Sequence, residues 1–119
     1  MSLQFKATIT DVGCLATESL EDNMIILFNQ SVPEDVGDYC FIHDQGKDAG
    51  ILSTQSTLLI AEKDFVVTAV GCAASQNLVN LGHITIKFDG LLVPEQPGTV
   101  HVIGDCPKTL CIGDEIVFG

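Results

Sequence analysis

From His83 to Phe88 apolar and polar residues alternate without a break, with Ile84, Ile86 and Phe88 on one side of an extended chain and His83, Thr85 and Lys87 on the other. A two-residue period fits a half-buried strand and not a helix, and its recurrence in short segments constrains the fold more than any other feature. Gln4 to Val12 alternates around Phe5, Ala7 and Ile9, and Asn23 to Asn29 is an apolar run bounded by asparagines, as in a buried strand. Tyr39 to Ile42, Ile51 to Ser53, Thr57 to Ala61, Phe65 to Val70, Thr99 to Ile103 and Glu115 to Phe118 are further strand candidates. Turn chemistry separates them: Gly13 to Asp22 is polar and turn-rich, and Glu62-Lys63-Asp64, Asp89-Gly90 and Pro94 to Gly98 interrupt the pattern.

Helical signals are few. Ser31-Val32-Pro33-Glu34 fits a capping box with serine as the cap, but Gly37 stops whatever follows, so only a single helical turn is expected near residues 32–36. Ala73, Ala74, Asn77, Leu78 and Leu81 fall at helical spacing, and Gly82 stands where the residue just past a helix belongs, which predicts a short helix at about 72–81. About eight short strands without repeating strand-helix units predict an all-β fold, a small barrel or sandwich, over a single domain at 1–119.

A chain of 119 residues buries roughly two-thirds of the surface its unfolded form exposes, so no disulfide is required. The five cysteines, at 14, 40, 72, 106 and 111, are odd in number and form no CxxC pair, and no signal-peptide pattern opens the chain; reduced thiols in the cytoplasm are expected. Sixteen acidic against five basic residues give a net charge of −11, which disfavours nucleic acid and anionic membrane and favours a basic protein partner. Acidity that merely keeps the protein soluble is the simpler account. No apolar run is long enough to span a bilayer.

His43 stands out for its position. Asp38-Tyr39-Cys40-Phe41-Ile42-His43-Asp44-Gln45-Gly46 runs as a strand into a histidine and then into a polar, glycine-punctuated loop. A nucleophile at a strand end is held by the ladder behind it, while the loop ahead supplies space and free backbone N–H groups. With Cys40 and Ile42 turned to the core, Tyr39, Phe41 and His43 share the outer face, and the two aromatics are candidate docking anchors.

The nonapeptide resembles the glucitol/sorbitol-specific IIA component of the bacterial sugar phosphotransferase system. The resemblance continues through Val67-Thr68-Ala69-Val70-Gly71, Asn77-Leu78, Leu81-Gly82-His83, Phe88-Asp89-Gly90 and Pro97-Gly98-Thr99-Val100-His101-Val102. It implies a phosphoryl carrier: His43, in the YCFIH block, would accept phosphate from HPr, itself charged by enzyme I and phosphoenolpyruvate, and pass it to a cysteine of the IIB domain of a sugar permease. Members of that family can carry a second histidine two positions on, where this chain has Gln45, so His43 is the one acceptor candidate in the loop. Such a role needs an unprotonated ring nitrogen, with the other nitrogen tied to an acceptor and donors near the phosphoryl oxygens.

His83 and His101, beside Thr85 and Thr99 on the polar-side register, are candidates for bracing His43 or reaching a phosphoryl oxygen; hydrogen-bonded surface histidines are the alternative. Gly46 would let the backbone approach an anion closely. No metal site is expected, because the histidine and cysteine spacings fit neither a zinc knuckle nor a helical two-histidine pair, and no cofactor is expected, because no glycine-rich nucleotide loop follows a strand. A non-catalytic regulatory or ligand-binding barrel of the same fold is the competing reading.

Overall fold

The alternating runs become strands that close on themselves. In the computed structural model, which describes residues 3–48 and 50–119, the strands are β1 (Phe5–Val12), β2 (Met24–Asn29), β3 (Phe41–His43), β4 (Lys47–Asp48), β5 (Thr57–Ile60), β6 (Lys63–Val70), β7 (Ile84–Lys87), β8 (Thr99–Ile103) and β9 (Glu115–Phe118). Hydrogen bonding runs in the order β3-β2-β7-β8-β6-β5-β9-β1, with β4 a short addition to β1. An antiparallel pairing of β3 with β1 then closes eight strands into a barrel, so no long edge is left bare. Two pairs are parallel, β2 with β3 and β7 with β8; the rest are antiparallel.

Inward-facing residues fill the barrel as the period of two requires. Phe5, Phe41, Phe65 and Phe118 are its largest fully buried side chains, packed with Ile9, Ile25, Leu27, Leu58, Ile60, Ile84, Ile86 and Ile116. Among the described residues three short helices lie outside: α1 (Glu18–Glu21), α2 (Glu34–Gly37) and α3 (Ala74–Leu81). Helix α3 buries Ala74 and Leu78 and ends at Gly82 in the left-handed conformation, φ 62°. The Gly82 and His83 N–H groups then close onto the Leu78 and Asn77 carbonyls.

Several expectations are corrected. The stretch Gly13 to Asp22 contains α1, and Ile51 to Ser53 forms no strand. Lys63 and Asp64 pair with Ile60 and Leu59 and so belong to β6. Serine does not cap α2: Pro33 holds the N-cap position with extended dihedrals, and the Ser31 hydroxyl binds the Asn29 side chain.

The face assignment is also reversed for Phe41, Ile42 and His43 of β3, although Cys40, just before the strand, is buried as expected. Ile42 is half-buried while Phe41 and His43 point inward at 0% exposure, because Phe41 pairs with Val12 on one side and Leu27 on the other inside the closed wall. Phe41 is therefore core, not a docking anchor; Tyr39, 55% exposed, keeps that possibility. Phe41→Ala should lower unfolding stability by about 3–5 kcal/mol, whereas Tyr39→Ala should stay within about 0.5 kcal/mol of wild type. Urea titration of both variants checks the assignment.

Candidate functional site

His43 ends β3 opposite Ile9 of β1 and Asn29 of β2. Its ring is fully buried, with the edge of Phe5 5.5 Å away between centroids. Nε2 lies 2.8 Å from the Gly82 carbonyl oxygen, and Nδ1 lies 3.0 Å from the backbone nitrogen of Gln45. A carbonyl can only accept and a backbone N–H can only donate, so the neutral tautomer is fixed: the proton is on Nε2 and the lone pair on Nδ1. Burial lowers the His43 pKa below its ordinary 6.5, partly offset by the Gly82 carbonyl and the negative charge of Asp44. The ring is a neutral imidazole with its lone pair capped.

Gly82 acts twice here. Its left-handed conformation stops α3, and its carbonyl meets the imidazole; a Cβ at this position would sit 2.5 Å from His43 Cε1 and 2.6 Å from Nε2. The cover over Nδ1 is Gln45, at φ 64°, followed by Gly46 at φ 22°. Gln45 Nε2 donates to the Leu78 carbonyl at 2.8 Å and to Asp48 at 2.9 Å, while its Oε1 accepts from Asn29 Nδ2 at 3.0 Å. The Asp44 carboxylate accepts the N–H groups of Thr8 and Gly46, both at 3.0 Å, and pins the loop to β1. Gly46 thus serves the loop's close approach to β1, where a side chain would collide with the Lys6 carbonyl. Beside the cover an open depression of about 220 Å³ is lined by Asn29, Gln30, Ser31, Asp44 and Gln45.

The other histidines do not join His43. His83, half-buried, stacks on Phe28 at 4.5 Å and binds the Leu27 carbonyl through Nδ1 at 3.0 Å. His101 is fully buried rather than on the polar surface, yet it lies on the side of β8 opposite the core residues Val100 and Val102. Its Nδ1 bonds Asp89 at 2.8 Å and its Nε2 accepts the Glu95 N–H at 3.2 Å. His101 is thus a clasp holding the loop after β7 against the wall, and it braces nothing at His43. Burial raises the Asp89 pKa, but the hydrogen bonds from His101 and the Leu91 N–H outweigh it and leave the carboxyl below its ordinary value.

Asp89, Glu95 and His101 bring ligand-type atoms within 4.8 Å of one another, a grouping the sequence spacing did not suggest. Both His101 nitrogens already have protein partners, and Glu95 binds Lys87 Nζ at 2.7 Å.

Gly82, Gln45 and Asn29 are the contacts sequence reading passed over as site residues. The Leu81-Gly82 stop signal located the helix end, but only the closed barrel brings that end against β3. Gly82→Ala should cost at least about 2 kcal/mol, from the positive φ and the clash with His43 together, measured as a lower urea midpoint. His43 has a depressed folded-state pKa, so its contribution is full above the unfolded pKa and lost as pH falls toward the folded one. Wild type should lose unfolding stability from about pH 7 to about pH 5, and His43→Gln should lose less over the same interval.

Comparison with known proteins agrees with this architecture. A family model described as "PTS system glucitol/sorbitol-specific IIA component" matches residues 4–117. A glucitol/sorbitol-specific EIIA component of Shigella flexneri is 42% identical over 118 residues, covering 99% of this chain and 96% of that protein. The corresponding protein of Escherichia coli K12 is 41% identical over the same shares. A crystal structure of a PTS system IIA component from Enterococcus faecalis V583 matches with a TM-score of 0.81 at 26% identity, covering 93% of this chain and 96% of that one. With a family match spanning nearly the whole chain and an eight-stranded barrel to carry it, the protein belongs to the glucitol/sorbitol-specific IIA components of the sugar phosphotransferase system.

Proposed function

We propose that this single IIA domain is a cytoplasmic phosphoryl carrier in which His43 takes phosphate from HPr and delivers it to the IIB domain of a glucitol/sorbitol permease. Membership of the family supports the carrier role. The observation that carries the assignment to His43 is its fixed tautomer: a neutral imidazole with one nitrogen tied to the Gly82 carbonyl and the other holding a lone pair. Among the described residues no helix is long and apolar enough to cross a membrane.

The ring was expected at the surface and is buried, so transfer requires that the cover open. The group bonded to Nδ1 is the Gln45 N–H, and the Gln45 side chain is itself only half-buried. Opening exchanges the Gln45 hydrogen bonds to Leu78, Asp48 and Asn29 for water or a partner, and releases a non-glycine residue from positive φ. On the side of the cover Ile51, Val79 and Leu81 are exposed and offer apolar contact to a transient partner, while Tyr39 is exposed at the other end of β3.

The complete burial of His43 favours one competing reading, a barrel that keeps the fold and no longer relays phosphate. Supplying phosphoenolpyruvate, enzyme I and HPr should place an acid-labile, base-stable phosphate on the wild type and none on His43→Ala. Label that persists in the variant would move the site elsewhere, and no label on the wild type would leave the non-catalytic barrel standing.

A further inference from the structure

We propose that a second copy of this chain covers the outer face of β6 and β8, forming a weak twofold dimer in which both His43 sites stay clear of the contact. Exposed aliphatic side chains gather on that wall. Val66 and Ile103 are register partners across β6 and β8, and both are more than half exposed. Beside them runs the loop after β7, where Leu91 is exposed and Leu92 and Val93 stand at 79% and 75% exposure. The loop lies close to the strands: the Gly90 N–H donates to the Val102 carbonyl, and a Cβ on Gly90 would stand 3.2 Å from Ile103 Cγ1.

This loop is tied down on both sides of its apolar crest. Thr68 Oγ1 donates to the Leu91 carbonyl at 2.7 Å, Asp89 binds His101 Nδ1, and the Glu95 N–H reaches His101 Nε2. Anchored at 89, 91 and 95, the chain holds Leu92 and Val93 out in solvent, where aliphatic groups gathered in a patch favour being covered.

Three observations choose the occupant. Shape is the first: the projecting Leu92 and Val93 stand beside the flatter Val66 and Ile103, so under a twofold axis the projection of each copy meets the strand face of the other. Charge is the second. Sixteen acidic against five basic residues make two copies repel over most approaches, yet no patch residue is charged, and Glu95 and Asp89 at its margin are already engaged by Lys87 and His101. Asp64 and Asp105, at the other margin beside Lys63, leave a residual repulsion that salt screens. The same net charge keeps anionic lipid headgroups away. Extent is the third: at roughly 100 Å² for each exposed aliphatic side chain, two such patches bury on the order of 1,000 Å² together, the lower limit for a specific interface. The dimer is therefore weak and concentration-dependent.

β6 stands four strands from β3 whichever way the barrel is followed, so the contact lies across the molecule from His43 and Gln45. Pairing through it leaves both candidate sites free for other partners, and it holds whether or not His43 relays phosphate.

Sedimentation velocity from about 10 μM to about 1 mM, the range a contact of this size calls for, should show monomer passing reversibly to dimer. Added salt should strengthen the association, because it screens like charges. Leu92→Asp combined with Val93→Asp should weaken it at least about a hundredfold while leaving the urea midpoint unchanged. As wild type is concentrated, amide resonances should shift at Val66, Leu92, Val93 and Ile103 and stay fixed at Gln45 and Gly82. Monomer throughout would overturn the proposal, as would a dimer that salt dissociates or whose shifts fall at Ile51, Val79 and Leu81. A monomer whose Leu92 and Val93 resonances move on adding phosphatidylcholine vesicles would give the face to a lipid surface and overturn it equally.

Discussion

β3 is three residues long, yet the barrel closes through it, with β1 antiparallel on one side and β2 parallel on the other. Everything at the candidate site depends on this double pairing. It turns Phe41 into the core, sets His43 between Ile9 and Asn29, and brings the strand end under the C-terminus of α3. A shift of one residue in β3 would exchange Ile42 for His43 on the inner face and dissolve the arrangement. The irregularity of β1 between Ile9 and Asp11 lies at this seam, and Thr10 turns its hydroxyl to the Ile42 carbonyl there.

Closure also determines the chemistry of the ring. Two segments distant in sequence, the stop of α3 and the loop after β3, each address one nitrogen, and each can act in only one hydrogen-bonding sense. Neither is a charged side chain, so the proton is located by backbone geometry alone. A buried imidazole held in this way is neutral and oriented at rest.

Much of the fold was legible because its signals are local. Thr99 to Ile103 and Glu115 to Phe118 match β8 and β9 at both ends, and Gly82 stops α3 where a glycine past a helical pattern should. The failures were failures of context. The capping signature at Ser31 was outcompeted by an Asn29 side chain that takes the serine hydroxyl, and Ile51 to Ser53 has strand composition but no neighbour to pair with. Which face of β3 turns inward is not legible in the sequence because Cys40 and Ile42 on one side and Phe41 on the other are all apolar, and alternation cannot choose a face when both qualify. His101 was read as polar because histidine usually is; only the fold-back of the loop carrying Asp89 and Glu95 makes it a buried clasp.

The placement of β9 between β5 and β1 bears on how the molecule assembles. During synthesis β1 precedes β9 by most of the barrel, so one edge of β1 lacks its covering strand until the far-removed β9 segment is available. Native order at β1 therefore depends on a pairing of very long sequence separation, which forms slowly relative to the local hairpins. In the interval the nascent chain exposes a sticky margin, and a truncation that removed the late segment would leave that margin permanently available to other chains.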